Sequence, residues 1–168
     1  RRLRERLHNS RGRLSVNRII YETEEGDLAV VMPASNTRLS IEEIAEKDVP
    51  EGRPKDFINL DQLPVRRIFR KAWMYDFSDE MKSRKYVEID MEKARAVTQD
   101  IIREERRPIL ETLDIEYMRA TEAKDESKME YVAALKQILR DLPADPRIEA
   151  AKTPEELEHL ALTAVKEA

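Results

Sequence analysis

The chain has 168 residues and a formal net charge of −4, with 40% hydrophobic and 39% charged residues but only 5% aromatic ones. This composition allows a lean core in one ordinary domain, or in a small domain with a helical extension. Without cysteine, the chain has no disulfides, thiolate metal sites or thiol nucleophiles. No run of about 18 apolar residues occurs, so we expect no membrane span.

The first segment is a basic arm, residues 1–16, which we expect to be flexible in isolation. Its arginines are accompanied by a single acid, Glu5, although the whole chain is acidic. Such an arm suits an acidic protein surface or a phosphate backbone. It holds no aromatic residue for base stacking, so nucleic acid is a possible but not the favoured partner. The arginines concerned are Arg1, Arg2, Arg4, Arg6, Arg11 and Arg13.

Two stretches after the arm, residues 17–23 and 27–32, are rich in β-forming side chains. A turn signal, Glu24-Glu25-Gly26-Asp27, lies between them, and together they predict a hairpin. Ser40 and Glu43 then have the spacing of a capping box, which predicts a short helix directly after Ser40.

The next stretches predict the rest of a small antiparallel sheet. Residues 57–60 predict a third strand, and residues 72–77 and 86–89 predict a second hairpin because apolar and polar side chains alternate there. We therefore expect residues 17–89 to fold as a small α+β domain.

From Asp90 onward the pattern becomes helical, with apolar side chains recurring at spacings of three and four. Pro108 interrupts this stripe, and predicts either a kink near Glu104 or two separate helices. After a polar joint at residues 123–127, a second helix runs to about Asp141. The short joint predicts an antiparallel helical hairpin.

A terminal helix is predicted to begin at Thr153. Thr153 is the N-cap, Pro154 takes the first helical position, and Glu156 completes a capping box. The predicted fold class is therefore α+β, in which a small antiparallel sheet domain precedes residues 90–168, a helical hairpin followed by a terminal helix.

Residue types that carry catalysis are scarce. The two histidines, His8 and His159, lie far apart in the sequence, and we expect both to be exposed polar residues. The adjacent acid pairs have basic neighbours three or four positions away, as expected for solvated ion pairs. The three glycines form no phosphate-binding loop. We therefore expect no catalytic residue, no metal ion and no cofactor, and predict that the chain is not an enzyme.

Two phrases in the helical region resemble a known module. They are residues 102–114, which are rich in arginine, and residues 131–143, which end in Leu139-Arg140-Asp141-Leu142-Pro143. This pattern resembles the C-terminal module of phage tail assembly chaperones and tail-fibre assembly proteins. Residues 41–52, 67–73 and 145–157 also resemble small prophage proteins. The chain departs from the module because Asp114 is followed by Ile115 instead of tryptophan.

The resemblance implies a non-enzymatic phage protein that binds a tail or tail-fibre structural protein in the host cytoplasm during virion assembly. Self-association is a further possible contact. Alternatives are a structural component that stays in the virion, held by its basic arm, and a phage-encoded inhibitor or nucleic-acid-binding regulator of the host. The partner-binding residues expected on this basis are Leu135, Leu139, Arg140, Asp141, Leu157 and Leu160.

The Leu139–Pro143 phrase also has an interpretation that needs no ligand. Arg140 in the last turn of a helix is favourable to the helix dipole, whereas Asp141 is not. We therefore expect Asp141 to pair with an arginine of the 103–107 cluster across the hairpin, so that the phrase forms a structural clasp.

Overall fold

A computed structural model describes residues 18–78 and 86–168 of the chain. It confirms the predicted α+β class, because a small antiparallel sheet precedes long helices. The chain divides between Glu88 and Ile89 into two compact units. The predicted basic arm, residues 1–16, lies outside the described residues, as does most of the predicted turn of the second hairpin.

The first unit contains a three-stranded antiparallel sheet of β1 (Arg18–Glu22), β2 (Leu28–Val31) and β3 (Lys55–Ile58). The strand order is β2-β1-β3, so β1 is central. The predicted first hairpin is confirmed, and Gly26 in its turn has a φ of 79°, a conformation that glycine adopts without steric cost.

Helix α1 (Ile41–Asp48) covers one face of this sheet. Its predicted capping box is confirmed: the Ser40 hydroxyl accepts from the backbone N–H of Glu43, and the Glu43 carboxylate accepts from the backbone N–H of Ser40. The alternating side chains of β1 that face α1 supply an apolar contact. The buried residues of this contact are Ile19, Ile44, Ala45 and Val49.

The third strand lies two residues earlier than predicted, because Leu60–Gln62 turns into a 3-10 helix directly after it. The second hairpin is shorter than predicted, with β4 (Trp73–Met74) paired to β5 (Glu88–Ile89). The strand does not reach residue 77, since the Asp76 carboxylate accepts hydrogen bonds from the backbone N–H and hydroxyl of Ser78. Such a side-chain turn competes with strand pairing.

The second unit consists of α2 (Met91–Ala123), α3 (Glu126–Asp141), α4 (Pro146–Ala150) and α5 (Pro154–Glu167). Helix α2 packs against both α3 and α5. Asp90 caps α2 and the predicted N-cap of α5 at Thr153 is confirmed, because both side chains accept backbone N–H groups of the first turn. The predicted capping box at Thr153 is incomplete, since the Glu156 carboxylate accepts from the backbone N–H of Lys152 instead of Thr153.

Two features of this unit differ from the sequence expectation. Helix α2 continues through Pro108, so the prediction of two separate helices there is wrong. The short helix α4 was not predicted. It is joined to α2 by Arg95, whose guanidinium donates to the backbone carbonyls of Ile148 and Ala151 at 3.3 and 2.9 Å.

Candidate protein-binding surface

Helices α2 and α3 form the predicted hairpin, with a narrow apolar seam between them. Leu113, Val132 and Leu139 are buried in this seam, and four further apolar side chains pack against them half-buried: Leu110, Leu135, Leu142 and Val165. Val165 belongs to α5, so the seam is continued by the terminal helix. Burial of this seam is the main force that holds the hairpin together.

Arg106 joins the two helices at the end of α3. Its guanidinium donates to the carbonyls of Leu139 at 2.7 Å and Arg140 at 2.6 Å. Carbonyls in the last turn of a helix lack intrahelical donors and carry the negative end of the dipole, so a cation is well placed there. The Leu139–Pro143 phrase therefore lies at a structural clasp.

The expected partner of Asp141 is wrong. Its carboxylate accepts a hydrogen bond from the Gln137 side chain at 2.9 Å, within the same helix. Arg106 does reach across the hairpin from the 103–107 cluster, but it contacts backbone carbonyls instead of Asp141. The free backbone carbonyls at a helix end can bind an arginine in place of a carboxylate. The residue types in the sequence do not show which of these two acceptors the arginine will bind.

Polar contacts also join the two helices between the Arg106 clasp and the joint. Lys124 ends α2 in the left-handed conformation, with a φ of 57°. Lys136 forms an ion pair with Asp114, and its ammonium lies 5.3 Å from the ring centroid of Tyr117. The contacts of Lys136 with Asp114 and Tyr117 connect α3 to α2.

Most of the leucines predicted to bind a partner lie in the interior. Leu139 is buried in the hairpin seam, and Leu157 and Leu160 are buried on α5. These three leucines therefore belong to the core of their own unit in this structure, and their role in binding a partner stays a prediction. Leu135 stays half-buried, while Arg140 and Asp141 are exposed.

A different set of apolar residues faces outward on α3. Tyr131 is 65% exposed and Ile138 is 47% exposed. Leu135 lies between them, and Leu142 follows directly after the end of α3. The spacings of four, three and four residues place these side chains on one helix face. We call these four residues the α3 stripe.

The sequence shows that the α3 stripe is apolar, although it does not show that Tyr131 and Ile138 are exposed. Helix α3 carries two apolar series, and the series through Val132 and Leu139 fills the seam. The second series, which is the α3 stripe, lies about one residue further around the helix. Of its members, only Leu135 and Leu142 pack against the seam. A helix with a second apolar face of this kind has more apolar surface than a two-helix contact buries.

A shallow hollow of about 320 Å³ is also present in the second unit, beside α4 and the first turns of α5. Its floor is alanine and leucine, and polar side chains at its rim include Arg147 and His159. Arg147 already forms an ion pair with Asp145 at 2.7 Å. His159 is exposed, as predicted. The hollow is open, and the Glu156 carboxylate in its lining accepts a hydrogen bond from the backbone N–H of Lys152.

Within residues 18–78 and 86–168, no cluster of three or more histidine, aspartate or glutamate side chains is arranged to hold a metal ion. No helix in the described part of the chain combines the length and apolar character needed to cross a bilayer. Comparison of the chain with protein-family models, with curated proteins and with solved structures found no match. The resemblance to phage assembly proteins therefore rests on the sequence phrases alone.

Proposed function

We propose that this chain is a non-enzymatic phage protein whose α3 stripe binds a tail or tail-fibre structural protein during virion assembly. The observation that carries the proposal is the exposure of Tyr131 and Ile138 two helical turns apart on one face of α3. The Leu139–Pro143 phrase supports the choice of partner, since it resembles the module of tail assembly factors.

The geometry of the stripe suits the recognition of another polypeptide. Tyrosine and isoleucine supply large contact areas, and tyrosine also keeps a hydroxyl for hydrogen bonding at the edge of an interface. Both side chains lie on a regular helix whose adjacent face is fixed by the seam and whose end is fixed by the Arg106 clasp. A surface fixed in this way loses little conformational entropy on binding.

A substitution of the α3 stripe tests the proposal. The chain would be co-expressed with the tail and tail-fibre proteins of the phage genome that encodes it, and soluble complex would be measured by co-purification. We expect Ile138→Asp to abolish the complex, because an ion placed in an apolar contact must be desolvated without a partner. Tyr131→Asp is expected to do the same.

Leu162→Asp is the matched control, because Leu162 is 46% exposed on α5, against 47% for Ile138 on α3. We expect the Leu162 variant to keep the complex. Equal loss in all three variants, or no complex with any of these proteins, would argue against the proposal. Stoichiometric amounts of the chain in purified particles would favour the structural virion component instead.

A further inference from the structure

A second surface, in the first unit, has a different chemistry. The segment of residues 62–75 contains four cations and no acid. Part of it folds as the 3-10 helix Arg67–Ala72, in which Phe69 and Ala72 are buried. The buried side chains fix the backbone and leave the cations outside. We call Arg66, Arg67, Arg70 and Lys71 the basic turn.

Three of the four cations of the basic turn are exposed. They are Arg67, Arg70 and Lys71, and none of them forms an ion pair with an acid in the described part of the chain. Elsewhere, exposed arginines such as Arg103 and Arg107 pair with an acid three residues away. These three cations therefore keep a positive charge that no acid of the described residues compensates by pairing.

Trp73 holds two of these cations together. The guanidinium carbons of Arg67 and Arg70 lie 5.3 and 5.8 Å from the centroid of the indole ring. Arg67 and Arg70 lie on either side of a kink at Phe69, whose φ of −96° and ψ of 28° are not helical, and both guanidiniums reach the same ring across it. The indole itself is only 2% exposed, and cation–π attraction positions the guanidiniums before any ligand arrives.

We propose that the basic turn is a binding site for the sugar-phosphate backbone of a nucleic-acid duplex, independent of base sequence. The planar guanidinium of arginine can donate two parallel hydrogen bonds to the oxygens of a phosphate. The three exposed cations also supply the electrostatic attraction on which phosphate-backbone binding depends. The buried indole cannot stack on a base, which favours the outside of a duplex over an unpaired strand. Arginine is common at protein interfaces, but the core of such an interface is depleted of charged residues, whereas this turn exposes three cations close together in the chain.

The test uses the full-length chain with its six arm arginines replaced by glutamine, so that the arm does not contribute. Binding to a fluorescently labelled DNA duplex of mixed sequence would be measured by anisotropy between about 50 and 200 mM salt. The triple variant Arg67→Gln, Arg70→Gln, Lys71→Gln is expected to weaken binding. It is also expected to reduce the slope of log affinity against log salt by about 0.9 for each phosphate that the variant no longer neutralises.

A control triple variant, Arg119→Gln, Lys128→Gln, Lys152→Gln, removes the same charge from exposed positions in the second unit and is expected to keep affinity and slope. The single variant Lys71→Gln does not touch Trp73, so the expected fall of about 0.9 in its slope is free of folding effects. The proposal is overturned if the arm-neutral chain does not bind, or if both triple variants behave alike. Displacement of the duplex by polyglutamate at equal charge would also overturn it, in favour of an acidic protein partner.

Discussion

At the residue scale, Arg106 shows how one side chain determines the packing of the hairpin. Its two hydrogen bonds end on carbonyls of the last turn of α3, which otherwise lack intrahelical donors. The Arg106 side chain is half-buried. If it is shortened to alanine, water can therefore satisfy the two carbonyls only in part. Arg103, by contrast, pairs with Asp100 in its own helix, and its side chain is about half exposed.

We expect Arg106→Ala to lower the free energy of unfolding by about 1.5–3 kcal/mol, the range for hydrogen bonds that involve a charged group. Urea unfolding followed by far-ultraviolet circular dichroism measures the change. Arg103→Ala is the control, with an expected loss below about 0.5 kcal/mol, because an exposed pair within one helix contributes little. Similar losses in both variants would show that the clasp is not a significant source of stability.

Asp145 supplies a pH dependence. Side-chain hydrogen bonds from Arg147 hold the pKa of Asp145 below its ordinary value, although partial burial opposes this shift. A carboxylate whose pKa is lower in the folded chain stabilises the fold above its unfolded pKa of about 3.9. This contribution is lost as the pH falls from that value through the folded pKa.

The variant Asp145→Asn tests this dependence, because asparagine keeps the N-cap of α4 but removes the charge. We expect the wild-type chain to be the more stable at neutral pH, with a difference in unfolding free energy that shrinks below about pH 4. Urea titrations across this pH range give the difference. A difference that stays constant as Asp145 becomes protonated would contradict the assigned cause.

At the element scale, Pro108 is unusual because it lies inside a helix that continues for fifteen further residues, to Ala123. Proline removes one backbone donor and its ring crowds the preceding turn. The continuous helix therefore carries an internal penalty that the packing of α2 on α3 and α5 outweighs. The sequence rule is correct about the local preference, but tertiary contacts decide the outcome.

Replacing Pro108 with alanine is expected to stabilise the chain by about 1–3 kcal/mol, because it restores the donor and removes the steric conflict. Thermal and urea unfolding report the gain. Pro154→Ala is the control, since Pro154 takes the first position of α5, where proline is favourable. A Pro108 variant less stable than the wild-type chain would show that α2 needs the local bend that proline produces.

At the scale of the whole molecule, the class and most elements follow from the sequence, because capping residues and apolar periodicity are local. The helix starts after Ser40, Asp90 and Thr153 are examples. Short elements such as α4 and the 3-10 helix Arg67–Ala72 were missed, since they depend on contacts with distant parts of their units.

The candidate site was predictable only in part. Periodicity shows which side chains are apolar on one helix face, but it does not show which of two faces the rest of the unit will cover. Leu157 and Leu160 were assigned to a partner and are covered by their own unit, while Tyr131 and Ile138 remain exposed. The basic turn was missed as a site because its charges become a surface only once Phe69 and Trp73 are buried.

Helix α2 has 33 residues and is about 50 Å long, whereas the 16 residues of α3 extend only about 24 Å. Helix α3 therefore accompanies about half of α2, and the remaining length is available to α4 and α5. Helix α2 is continuous, so one helix packs against α3 and also against α4 and α5. Any movement of α3 away from α2 would therefore also disturb α5, because Val165 of α5 packs against the same seam of Leu113, Val132 and Leu139.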